Sequence, residues 1–174
     1  MNKIFVNYNE NAEKNIEQLS KGAFLTTKDG DKVNSMTIAW GNIGFIWGKP
    51  VFMAMVRPQR YTYEIIEKSN EFTVTIPYEE LKNAIGFLGS KSGRDMDKLA
   101  ELNIKTINGE KINTPVLDVE GMHFECKVVY KTTMTAENLN VDINRSKYPG
   151  KDYHTLYFGE IVSSYVTEES KQAE

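Results

Sequence analysis

Val51 to Val56 is an unbroken apolar run fenced by Pro50 and Pro58. Its length and its proline flanks favour a buried strand over a helix. A buried strand needs neighbours, and the chain supplies them. Ala23 to Thr27 and Val33 to Trp40 read as strands joined by the turn Lys28-Asp29-Gly30-Asp31-Lys32, where Asp-Gly supplies the positive φ of a tight hairpin. Phe72, Val74 and Ile76 alternate with Thr73 and Thr75 in a strand ended by Pro77. Gly121 to Tyr130 and Tyr153 to Val166 complete the set. Helices are expected over Asn9–Leu19, from Pro58 in a first turn to a stop at Asn70, and over Tyr78–Leu88. A short one is expected through Leu102 with Asp95 as its cap. Asn108-Gly109 marks a turn. The first ten residues read as an extended arm, Gly41 to Pro50 as a loop or irregular strand, and Thr135 to Asp152 as a long loop without periodicity. Five or more strands with short helices on the connections imply a mainly antiparallel β or α+β domain. Strand and helix do not alternate regularly enough for a doubly wound fold.

At 174 residues the chain is long enough for one domain with a substantial core and too short for a second. A net charge of -3 offers no basic surface for non-specific nucleic-acid binding. Met1 to Tyr8 lacks the apolar run of a signal peptide, and no apolar stretch approaches the ~20 residues needed to span a bilayer. A soluble, cytoplasmic protein with no membrane partner is therefore expected. Cys126 is the only cysteine, which excludes an internal disulfide and a CxxC metal site. It falls on the apolar face of Met122, Phe124, Cys126, Val128 and Tyr130, opposite His123, Glu125 and Lys127, and reads as a buried small hydrophobe. His123 and His154 have no partner at ligand spacing, so no metal site is expected. The Gly86–Gly93 region is not a phosphate-binding P-loop, because Ser90 precedes Lys91 and the segment follows a helix.

The chemistry concentrates between Asn34 and Thr62. Small hydrogen-bonding residues open the segment, an apolar strand follows, and Arg57 and Arg60 stand at a helix start. Pro58 disfavours helical geometry at Arg57 and places it at the strand end, with Arg60 in the first helical turn. Both guanidinium groups and the free N–H groups of the helix start are suited to one phosphate. Two solvated arginines at a helix end, and an ordinary strand after a hairpin, are the structural alternatives.

Taken in order, several stretches resemble the flavin reductase-like family with the FMN-binding split-barrel fold, and within it the flavoredoxin-type members. They are Asn34 to Trp40, Arg57-Pro58-Gln59-Arg60-Tyr61-Thr62, Glu71 to Pro77, Ser92 to Lys98, Phe124-Glu125-Cys126 and His154 to Ile161. The resemblance implies a β-barrel with short helices, a six-stranded antiparallel Greek-key split barrel. It also implies a homodimer with flavin near the subunit interface. Carried over, Asn34, Ser35, Met36 and Thr37 would line the isoalloxazine and ribityl chain, with Ile38 and Trp40 on the same strand. Arg57, Arg60 and Thr62 would bind phosphate, with Tyr61 beside them and Lys91, Ser92 and Gly93 assisting from a loop. His154 matches the histidine that lies near the nicotinamide side of the flavin in similar proteins.

The implied activity is an oxidoreductase that passes electrons from NAD(P)H through bound FMN, with FAD as the alternative cofactor, to a flavin, a metal or a protein acceptor. The Thr135–Asp152 segment shapes the second-substrate pocket and puts nicotinamide access in question. Two other readings stand beside this one: a flavoredoxin-like electron carrier without an efficient NAD(P)H site, and a flavin-free binding barrel.

Overall fold

The computed structural model describes residues 1–168. Ten strands and five α-helices follow in chain order: β1 (Asn2–Phe5), α1 (Ala12–Lys21), β2 (Ala23–Asp29), β3 (Lys32–Ile38), β4 (Gly41–Ile46), β5 (Lys49–Val56), α2 (Tyr61–Ser69), β6 (Glu71–Pro77), α3 (Lys82–Ser90), α4 (Lys98–Glu101), β7 (Thr106–Ile107), β8 (Val116–Leu117), β9 (Gly121–Thr133), α5 (Val141–Lys147) and β10 (Thr155–Glu168). The six strands expected from the sequence are all present. The main sheet holds eight, because the N-terminal arm pairs with β10 and the Gly41–Pro50 region forms β4 and the start of β5. Trp47 and Gly48, both at positive φ, make the two-residue turn between β4 and β5. Among the described residues no helix is long and apolar enough to cross a membrane.

The strand order is β3-β2-β6-β9-β10-β5-β4, with β1 on the remaining edge of β10 and every pairing in the sheet antiparallel. β3 and β4 occupy opposite ends of this order, yet only Ala39 and Trp40 separate them in sequence. Two residues span at most ~11 Å between the flanking Cα atoms. The sheet must therefore curl until its two edges nearly meet, without pairing, and this is what splits the barrel. Leu25, Phe52, Phe72, Phe124 and Tyr157 fill the interior. A second cluster, Phe24, Leu88, Leu99 and Leu117, packs α3 and α4 against the outside of β2. β2 is buried on both faces as a result, and the loop between α3 and α4 is held beside β3.

Several boundaries differ from expectation. Pro58 precedes α2 rather than opening it: Arg60 N–H donates to Arg57 O at 3.0 Å, closing a turn, and the extended Arg60 is the N-cap. Asp97, not Asp95, caps α4, accepting from Leu99 N and Ala100 N. The third helix starts at Lys82 and runs to Ser90. The Thr135–Asp152 segment contains a 3-10 turn and α5, whose cap Asn140 accepts from Asp142 N and Ile143 N. Asn70 does stop α2, in the left-handed region at φ 53.

β9 departs from simple alternation. Cys126 is buried in the core, but His123 and Glu125 on the opposite face are also fully buried. That face is covered rather than solvated. Glu125 accepts from Glu110 N and Lys111 N, each at 2.7 Å, and from the Tyr165 hydroxyl at 2.9 Å. His123 lies between Thr75 Oγ1 at 3.0 Å and Thr167 Oγ1 at 2.7 Å, with its ring stacked on Tyr165. Lys3 of β1 sits over the Tyr165 ring and pairs with Glu110. Buried polar groups must find such partners or cost stability.

Candidate functional site

Three pockets open along β3. One, of about 780 Å³, is lined by Asp31 to Ser35 and Gly93 to Ala100; two smaller ones share residues with each other. The first of these two, of about 140 Å³, is lined by Asn34 and Met36, by Gln59 to Thr62 at the start of α2, and by Ser90 to Arg94 and Lys98. Four cationic side chains reach it: Arg60, Lys91, Arg94 and Lys98. The α2 N-terminus opens on the same space without a side-chain cap, a setting that favours anions. Lys98 is only 5% exposed and donates one hydrogen bond, to Leu88 O at 3.2 Å. Burial, and then the charge of Arg60, pushes its pKa down to about 8. An anion in this pocket would raise it again.

The floor of the pocket is tightly built. Asn34 Nδ2 donates to Thr62 Oγ1 at 2.8 Å, tying β3 to α2. A Cβ on Gly93 would fall 2.1 Å from Asn34 Oδ1. Only glycine lets the loop approach that closely.

The second pocket, of about 200 Å³, is lined by Met36 to Trp40, Met55, Arg57, Arg60 and His154. Neither pocket alone reaches the ~300 Å³ at which ligand pockets begin. Met36 and Arg60 line both, so the two form one cleft, with four cationic side chains at one end and a shallower end where Met36, Ile38, Trp40 and Met55 lie among Arg57, Arg60 and His154.

His154 lies at the shallower end, 8% exposed, immediately before β10. Its Nδ1 is 2.7 Å from the Tyr148 hydroxyl, and the Trp40 ring is 5.4 Å away. Burial pushes its pKa down to about 4; Arg57 and Arg60 act in the same direction and Asp152 opposes them. The ring is neutral at pH 7.

The sequence-predicted residues divide accordingly. Asn34, Arg60, Tyr61, Thr62, Lys91, Ser92 and Gly93 meet at the cationic end. Thr37, Ile38, Trp40, Arg57 and His154 meet at the other, and Met36 and Arg60 belong to both. Ser35 is turned away: its Oγ is fully buried between Thr26 Oγ1 and Leu25 O of β2. Thr37 Oγ1 donates to Ile85 O at 2.6 Å, which anchors α3. Arg57 does not converge with Arg60 on the cationic pocket. It pairs with Asp152, donates to Lys147 O at 3.0 Å and lies over the Tyr148 ring.

Sequence reading gave no role to Arg94, Lys98, Tyr148 or Asp152. The first two lie within the Ser92–Lys98 stretch already singled out, and their clustered charge was the available signal. Tyr148 and Asp152 carried none, because only the folding of the α5 segment brings them to His154 and Arg57. Among the described residues no cluster of three or more His, Cys, Asp or Glu is placed to hold a metal ion.

Comparison with known proteins adds to this geometry. The family profile of the flavin reductase like domain matches residues 20–173. An uncharacterized protein of Pyrococcus abyssi is 26% identical over 144 residues, covering 81% of this chain and 70% of its own. Flavoredoxin of Desulfovibrio vulgaris superposes with a TM-score of 0.67 at 25% identity, over 84% of this chain and 69% of that one. The FMN-binding domain of a flavin reductases-like enzyme from Shewanella baltica superposes with a TM-score of 0.67 at 18% identity, over 95% and 77%. The antiparallel barrel with short helices matches the architecture of these split-barrel proteins.

Proposed function

The chain belongs to the flavin reductase like family, and from that premise we propose that its cleft binds FMN and that it is an NAD(P)H-dependent oxidoreductase. One observation carries this reading: a pocket ringed by four cationic side chains and a shallower one bearing Met36, Ile38, Trp40 and Met55 join at Met36 and Arg60. Their order suits a phosphate chain ending in a planar ring. The donor set fits the cofactor, with Arg60, Lys91, Arg94 and Lys98 at the phosphate end and Met36, Ile38, Trp40 and Met55 along the ring. Flavin held there would supply the redox chemistry between NAD(P)H and a flavin, metal or protein acceptor.

The protein's own groups position and neutralise. Arg60 and Lys98 balance phosphate charge with charge-assisted hydrogen bonds. Gly93 keeps the Ser92 loop against Asn34. His154 orients the nicotinamide as a neutral ring, and no protein acid or base is required.

A second reading is an electron carrier without an efficient nicotinamide site. It is favoured by the α5 segment, which brings Tyr148 and Asp152 against His154 and Arg57 at the end where a nicotinamide would enter. We further read the protein as a single-domain homodimer. In support, Trp47 and Tyr130 are about half exposed and in ring contact at 5.9 Å, with Phe158 against both. Exposed aromatic patches of this kind mark association surfaces.

Purified protein should be yellow, with a released chromophore of the mass of FMN rather than FAD. Anaerobic addition of NADH or NADPH should bleach it rapidly; persistent colour would favour the carrier. Arg60→Ala should raise the FMN dissociation constant about tenfold to a hundredfold, one charged hydrogen bond being lost. An unchanged constant would remove the phosphate assignment. A monomeric mass by light scattering at micromolar concentration would remove the dimer.

A further inference from the structure

We propose that Tyr148 is a positioning residue that fixes His154 as the ring form protonated at Nε2, so that His154 presents an N–H donor to the occupant of the cleft. The donor's purpose rests on the reading of the cleft given above; the tautomer does not. The Tyr148 hydroxyl is 2.7 Å from Nδ1, and the two rings stand nearly perpendicular, at 85°. Tyr148 is 3% exposed. Among the described residues its only other hydroxyl partner is Met134 Sδ at 3.5 Å, and thioether sulfur is a weak acceptor. The phenol proton therefore goes to Nδ1. A neutral imidazole that accepts at Nδ1 carries its proton on Nε2. Among the described residues Nε2 has no protein hydrogen-bond partner, and His154 lines the cleft.

The segment that holds Tyr148 is built to keep it there. Tyr148 N–H donates to Asn144 O at 3.0 Å at the end of α5. Tyr153 packs on its ring, centroids 5.2 Å apart, and sends its own hydroxyl to Asn144 Oδ1. Arg57 fastens the segment on both sides of Tyr148, through Lys147 O and Asp152. The charged groups facing His154 are Arg57, Arg60 and Asp152, and Tyr148 is the titratable neighbour. The two arginines disfavour a second proton on the ring, so the neutral form is the one whose tautomer Tyr148 selects.

The test is nitrogen NMR of protein labelled with 15N-histidine at pH 7. The chain has two histidines, and His154→Gln assigns them. In the wild type, His154 should show an unprotonated, hydrogen-bonded Nδ1 and a protonated Nε2. In Tyr148→Phe, the Nδ1 signal should shift toward that of an unbonded ring nitrogen and a second tautomer should appear. His123 signals should stay fixed and report that the barrel is intact. A wild-type His154 protonated at Nδ1 overturns the proposal, as does an identical pattern in the two proteins. If Tyr148→Phe does not fold, the wild-type Nδ1 signal alone decides. In flavin-loaded protein the same variant should raise KM for NAD(P)H about fivefold with less change in kcat and none in FMN affinity. Colourless protein would count against the cleft reading and leave the tautomer result standing.

Discussion

His123 and His154 are both buried, and in both burial lowers the ring pKa, to about 3 and about 4. They differ in how their nitrogens are used. His123 bonds at both, to Thr75 and Thr167, inside a covered face of the barrel. His154 bonds at one, to Tyr148, and lines the cleft with the rest of its ring. Low exposure and a displaced pKa are thus shared by a residue that closes a structural network and one that lines an open cleft. The ring nitrogen without a protein partner tells them apart.

The largest test of this contrast is pH. The native pKa of His123 lies below its unfolded value near 6.5, so the unfolded chain takes up the proton first. The stabilisation from neutral His123 is complete above about pH 6.5. It is lost as pH falls toward 3, amounting to about 4 kcal/mol at the bottom of that window. Urea titrations in pH steps should show this loss, and His123→Gln should flatten it by about one proton between pH 6 and 4. An unaltered slope would mean that His123 is not buried neutral.

Substitution at neutral pH comes next. His123→Ala leaves a cavity and an unpaired Thr75 hydroxyl, Thr167 keeping its bond to Val119 O, and should cost about 3 kcal/mol of unfolding free energy. His154→Ala strands one hydroxyl beside a cleft and should cost about 1 kcal/mol. Equal losses would erase the distinction.

Function should reverse the order. His154→Ala should slow bleaching by NADH or NADPH about tenfold, the value of one hydrogen bond, with FMN affinity unchanged. His123→Ala, where folded, should leave that rate alone. The smallest effect expected is none: because His154 stays neutral, held so by burial, Arg57 and Arg60 against Asp152, the wild-type bleaching rate should be flat from pH 5.5 to 7.5. An inflection near 6.5 would place an ordinary, solvated histidine in the site.

The strands were legible because alternation and β-branching express local burial. Phe72 to Ile76 and Val51 to Val56 needed no tertiary information. The same rule failed on β9, where His123 and Glu125 look like a solvent face. Their burial depends on β1, from the start of the chain, and on Asn108–Lys111, from the loop between β7 and β8. Asn34, Gly93 and Arg60 stood out as chemistry, whereas Tyr148 and Asp152 did not. A loop of mixed polarity carries no period from which to infer that α5 will fold or which way its tyrosine will face. The cap at Asp97 was missed for a local reason: Asp95 and Asp97 are equivalent by type, and only backbone geometry selects between them.

The pairing of β1 has a mechanical consequence. Asn2 lies opposite Glu168 and Phe5 opposite Tyr165, so a force drawing residue 2 away from residue 168 would part this ladder one rung at a time, like a zipper, rather than shear it all at once. Opening would travel from Asn2 to Phe5 and would lift Lys3 from Tyr165 early. The network around His123 would thus be unroofed before the cleft felt any load.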